Sequence, residues 1–260
     1  MTLGRKSINR TGEVNYNKFG SKMIISKYYN NRNVDIHFPK YNWTIKHRYY
    51  CEFQKGQIKC PYETRYLGVG YIGEGQYKTV DSQGKHSKCF TTWYNMLMRC
   101  YNTENIHERN YVYGQCYVCD EWLNYQNFAK WYYDNIYYVG DEQMCLDKDI
   151  LFKNNKEYSD YYCIFVPQSI NKLFTKTDKL RGEYPIGVYY YKNTNKFKAQ
   201  YNNGRKHRVS LGYFNTVEEA FEEYKRYKEQ YIKSVADEYK TYIPRELYKA
   251  MYEYEVEIDD

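Results

Sequence analysis

No apolar run in this chain approaches the roughly 18 residues that a membrane-spanning helix needs, and the mean hydropathy is −0.94. A spanning helix is excluded on that ground. The opening MTLGRKSINRTGEVNYNKFG has basic residues but no apolar stretch behind them, so no secretory signal is expected and the cytoplasm is the expected location. Cysteine is present but unorganised. The eight thiols follow no compact spacing, and 260 residues far exceed the small secreted scaffolds that depend on disulfides. They read as reduced.

What is present is length, positive charge and tyrosine. The chain suffices for one large domain or two to three small ones with sizeable cores. Thirty-nine Lys and Arg against 32 Asp and Glu leave a net charge of +7, which suggests an anionic partner and says nothing of fold. The 37 tyrosines, beside many Lys, Asn and Ile, read as AT-rich coding bias more than as a stacking device.

The periodicity changes along the chain. GSKMIISKYY, NVDIHF, HRYYCEF and GQIKC are short β-branched and aromatic runs with polar punctuation, predicting a small β-barrel or meander over residues 1–66. PYETRYLGVGYIGEGQYKTV, with Pro61, Gly68, Gly70, Gly73 and Gly75, reads as a linker. GVGYIGEG lacks the following helix of a phosphate cradle. TTWYNMLMRCY and DEWLNYQNFAKWYYDN have helical spacing, with Asp120 as N-cap of the second, and their aromatics read as core. MCLDKDIL and YYCIFVPQSIN then give strand, loop, strand and a helix from near Asn171. IGVYYY, KFKAQY and HRVSLGYF predict three strands, and Thr216 with Glu219 a capping box before an amphipathic helix bearing Ala220, Phe221, Tyr224 and Tyr227. YIPRELYKAMYEYEVEIDD reads as a short helix and an acidic tail. The expectation is a multidomain α+β protein divided at 1–66, 67–180, 181–235 and 236–260.

Between Pro185 and Phe214 the charged residues are Lys192, Lys196, Lys198, Arg205, Lys206 and Arg208, with no acid among them. Alternation in KFKAQYN sends Phe197, Ala199 and Tyr201 to one face and Lys198, Gln200 and Asn202 to the other. Such a face is either an ordinary solvated one or a DNA reader, with cations for phosphates and Gln200, Asn202 and Arg208 for base edges. PIGVYYYKNTNKFKAQYNNGRKHRVSLGYFNTVEEAFEEYKR resembles the Apetala-type, or ethylene-response-factor-type, DNA-binding domain through its GV start, central alanine and LGYF-x-T-x-EEA segment. The resemblance implies a sheet in the major groove of duplex DNA, with Tyr189, Tyr191, Lys192, Thr194, Gln200, Asn202, Arg208 and Ser210 facing it.

LDKDIL, the loop through YSDYY, and CIFVPQSIN resemble the HNH endonuclease ββα-metal motif, particularly its bacteriophage and mobile-element variants. That resemblance implies metal-dependent cleavage of DNA in the cytoplasm of a bacterial host. Asp147 and Asn171 fall on its metal-ligand positions for Mg²⁺ or Mn²⁺, Lys148 on that of its general-base histidine, and Tyr162 on that of its loop asparagine. Asp149 or His107 is the candidate substitute for that base. The alternative is a catalytically degenerate fold acting as a DNA-binding regulator or as an inhibitor of a host defence protein. Cys116 and Cys119 form a C-x-x-C, and Cys89, Cys100, Cys145 and Cys163 lie elsewhere, but a second pair at regular spacing is missing, so zinc is not expected. The N-terminal region resembles a module found before such phage nucleases, which implies DNA contacts through Lys22, Lys27, Arg32 and Lys55 or a partner-docking role.

Overall fold

A computed structural model describes residues 8–102, 115–174, 183–202 and 208–258. The chain divides into two compact units, residues 1–98 with 120–130 and residues 99–119 with 131–260. Among the described residues no helix is long and apolar enough to cross a membrane.

In the first unit β1 (Val14–Tyr16), β2 (Lys22–Asn30), β3 (Asn33–Phe38) and β4 (Trp43–Arg48) pair antiparallel in chain order as an open meander. Of the two expected forms, the closed barrel is not formed. Met23 and Ile25 on β2 and Val34, Ile36 and Phe38 on β3 fill one face, packed by Phe53 and Ile58. Two expected strands fail. HRYYCEF ends β4 and turns into helix α1 (Tyr50–Gln54), because the Glu52 carboxylate accepts from the Tyr49 N–H at 3.1 Å and from Arg48 at 2.8 Å. This places Tyr50 and Phe53 on the apolar core. Among the described residues GQIKC has no ladder partner, although Ile58 and Cys60 are buried.

Helix α2 (Lys88–Tyr101) forms as its spacing predicts. DEWLNYQNFAKWYYDN, however, is two helices, α3 (Asp120–Leu123) and α4 (Tyr125–Asn135), with Asp120 inside the first turn rather than capping it. The break lies at Asn124, where the Tyr71 backbone accepts from Tyr125 and donates to Leu123, both at 2.9 Å. The aromatics are core: Trp93, Tyr125 and Phe128 are fully buried, and the Trp93 indole donates to the Trp122 carbonyl at 2.7 Å.

In the second unit β5 (Tyr117–Val118) pairs parallel with β7 (Glu157–Tyr158), and β6 (Met144–Asp147) pairs antiparallel with β8 (Ile164–Pro167). Helix α5 (Gln168–Phe174) follows β8 directly, starting before the expected Asn171. Next come β9 (Val188–Tyr191), β10 (Lys196–Asn202) and β11 (Arg208–Phe214), an antiparallel sheet in the order β11-β10-β9. Helix α6 (Val217–Tyr239) and helix α7 (Arg245–Tyr252) complete the unit.

Helix α6 is shared by two cores. Its first turns bury Ala220, Phe221 and Tyr224 against Val188, Ala199 and Tyr201 of the sheet. Its later turns bury Ile232, Val235 and Ala236 with Ile150, Ile164, Val166 and Ile170 of the ββα segment and with Leu247 and Met251 of α7. The expected acidic tail is no loose tail. Val256 is fully buried in the sheet core, its N–H donates to Glu229 at 2.9 Å, and Lys153 pairs with Glu257 at 3.0 Å.

Candidate nucleic-acid interface

The sheet is built as the alternation dictates. On β10 the inward Phe197, Ala199 and Tyr201 pack on α6, leaving Lys198 and Gln200 on the opposite face. Register then assigns their neighbours. Lys198 lies between Tyr189 and Tyr213, Lys196 faces Tyr191, Gln200 faces Ser210, and Asn202 faces Arg208. A β-bulge on β11 sets this pattern. Ala199 pairs with Gly212 but Gln200 with Ser210, so Leu211 is the extra residue and joins the core, while Arg208 and Ser210 stay outward with Tyr213. Gly212 takes φ +133°, which a side chain would resist.

Tyr213 was not among the residues expected on this face. It is 45 % exposed, its ring lies 5.3 Å from that of Tyr191, and the Lys198 ammonium sits 5.9 Å from its centroid. Lys192 and Thr194 are exposed in the β9–β10 turn, and Tyr189, Tyr191, Arg208 and Ser210 are exposed on the strands. Arg205 and Lys206 lie outside the described residues. Two features hold the platform. Gly187 has φ +80°, and a Cβ there would meet the Tyr224 ring at 2.1 Å, so this approach of sheet to helix needs glycine. Thr216 accepts from the Glu219 N–H at 3.2 Å while the Glu219 carboxylate accepts from Thr216 N–H, forming the expected capping box.

The ββα segment places its polar residues differently from the expectation. Asp147 ends β6, and its Oδ1 accepts from the N–H groups of Asp149 and Ile150, each at 2.8 Å. Burial pushes its carboxyl pKa up, against those two bonds. Lys148 is buried and donates to Asp149 Oδ1 at 2.6 Å and to the Asn155 carbonyl. A side chain held between a carboxylate and a carbonyl acts as a strut across the loop. Tyr162 does not orient it; its ring packs on Phe152 and Tyr161. The amide that ties this loop is Asn155, which donates to the Lys148 and Glu157 carbonyls at 2.9 and 2.7 Å and accepts from the Glu157 N–H at 3.1 Å. Only the adjacent pair Asn154-Asn155 hinted at it in the sequence.

Asn171 and Asp147 are brought to the same neighbour. Cys145 shares the β6 face of Asp147, and its thiol is hydrogen-bonded by Asn171. A hard divalent ion takes about six oxygens, whereas Asp147 already spends one oxygen on two backbone N–H groups and Asn171 bonds the thiol. Among the described residues no group of three or more His, Cys, Asp or Glu side chains is arranged to hold a metal. The donor set does not fit a metal centre formed by the protein alone. Asp149 is engaged with Lys148, and His107 lies outside the described residues. Lys22, Lys27, Arg32 and Lys55 are exposed on the N-terminal unit.

No curated protein and no solved structure matches the chain. The AP2 domain family model matches residues 184–234. That span covers the three strands and most of α6, so the chain carries an AP2 DNA-binding domain there.

Proposed function

We propose that this chain acts by binding duplex DNA with the outer face of β9–β11 laid in the major groove. The observation that carries this reading is the face itself: Lys196, Lys198 and Arg208 among tyrosines and amides, with no acid between Pro185 and Phe214. Three strands about 4.8 Å apart present a backbone about 10 Å wide, which suits a groove about 12 Å wide. Successive outward residues on β10 advance about 6.8 Å, or two base steps of about 3.4 Å. Lys198 and Gln200 then address different base pairs, and Lys192 and Lys196 serve the phosphates. In this reading the ββα segment braces α6.

Metal-dependent phosphodiester cleavage is a second reading, favoured by the order β6, β8, α5 with Asp147 at the end of β6. Anisotropy on labelled duplex across a salt series, beside a nicking assay with Mg²⁺, Mn²⁺ or EDTA, separates the two. Binding that weakens steeply with salt, without nicked product under any metal, supports the first reading. Metal-dependent product lost in Asp147→Ala moves the balance to the second. If Lys198→Ala and Arg208→Ala both leave DNA affinity unchanged, the groove assignment fails.

A further inference from the structure

None of the eight cysteines is in a disulfide, and five are buried. Two of these buried thiols meet. Cys100 sits in the last turn of α2 and Cys116 immediately precedes β5, with their sulfurs 3.1 Å apart and exposures of 3 % and 6 %. A disulfide bond is about 2.05 Å long, so closure asks for about 1 Å of approach. Two cations serve the pair. Arg99, adjacent to Cys100, donates to the Tyr158 hydroxyl at 2.7 Å, and buried Lys148 lies 5.9 Å from the Tyr158 ring. The hydrogen bond between the two sulfurs, followed by the charges of Lys148 and Arg99, draws the Cys116 thiol downward. The pKa of Cys100 is pushed the opposite way, upward, by the same hydrogen bond and by burial. A thiolate beside cations and a resolving thiol is the arrangement of a redox-active pair.

We infer that Cys100 and Cys116 form a dithiol that hydrogen peroxide closes reversibly to a disulfide. In the first step the Cys116 thiolate attacks one peroxide oxygen, the O–O bond breaks, and a sulfenic acid and hydroxide form, the latter protonated to water. In the second the Cys100 sulfur attacks the sulfenic sulfur, the S–O bond breaks, and a second water leaves with the Cys100 proton. Two thiols lose two electrons to one peroxide. The burial of both sulfurs selects an oxidant of this size over bulky disulfides such as glutathione disulfide. The new bond would fasten the end of α2 to β5, and through the β5–β7 ladder to the loop that Lys148 and Asn155 organise.

The test treats the full-length protein with stoichiometric peroxide, blocks remaining thiols by alkylation and maps peptides by mass. The expected product has lost two hydrogens, carries six alkylated cysteines instead of eight, and gives one linked peptide joining Cys100 to Cys116 that a dithiol reductant reverses. Cys100→Ser should stop at a sulfenic acid on Cys116 that dimedone traps. Eight alkylated cysteines after peroxide, or a link from Cys116 to Cys119, would overturn the proposal without requiring any variant to fold. A parallel arm with glutathione disulfide should modify exposed Cys51 and leave the pair unlinked. Equally fast linkage there overturns the selection by size.

Discussion

Under the proposed DNA binding, individual side chains on the sheet divide into phosphate and base contacts, and their substitutions should differ in kind. Lys196→Ala is expected to weaken binding nearly uniformly across sequences and to reduce the salt slope by about one. Arg208→Ala, opposite Asn202 on the register, is expected to cost about 1–3 kcal/mol on a selected site and less on random duplex. Competition anisotropy with both duplexes reads the difference. In the ββα loop, Asn155→Ala strands two carbonyls and one N–H and should cost about 2 kcal/mol in urea unfolding. Asp147 has a pH signature. Its folded pKa lies above the ordinary aspartate value because of burial, so the native state binds the proton more tightly than the unfolded chain. The resulting penalty is full above the raised folded pKa and fades as pH falls through it toward the ordinary range. Asp147→Asn keeps the Oδ1 acceptor, so it should raise stability at neutral pH and lose that gain in acid. Equal gains at both pH values would refute the account.

Elements that rest on local chemistry were legible in the sequence. The strands of the C-terminal sheet follow from alternation in KFKAQY, and the start of α6 from Thr216 and Glu219. Thr216→Ala should cost about 1 kcal/mol by thermal melting. Elements set by distant partners were not legible. Alternation counted back from Tyr213 puts Leu211 and Val209 outward, and counted forward from Arg208 it turns Tyr213 inward. Only the bulge at Leu211 reconciles both ends, and nothing in HRVSLGYF announces it except Gly212. The break at Asn124 depends on Tyr71, far along the chain, which no helical period can reveal. The helix in YYCEF won over its strand-like composition because Glu52 supplies an N-terminal acceptor. Within the candidate site, the basic face was readable by residue type. The buried engagement of Lys148 was not, because it depends on the carbonyl of Asn155 across a loop.

Across the second unit, the 23-residue helix α6, about 34 Å long, belongs to the three-stranded sheet at one end and to the ββα segment at the other. Ile232 faces only the latter core. Its replacement by Ala is expected to cost about 2–5 kcal/mol and to lower hydrogen-exchange protection in β10 as well as in β6. Loss confined to β6 would show two separately melting cores. The C-terminal segment tightens this arrangement, since Lys153 donates to the Glu255 carbonyl at 3.1 Å across 102 residues of sequence while Val256 enters the sheet core.

The buried position of Val256 bears on how such a reader is transplanted. A cassette cut out at residues 181–235 would carry the three strands and most of α6 but leave a hole where Val256 sits, and would wet the side of the helix bearing Ile232 and Val235. The recognition surface would travel with the cassette, whereas its stiffness would stay behind with residues 236–258.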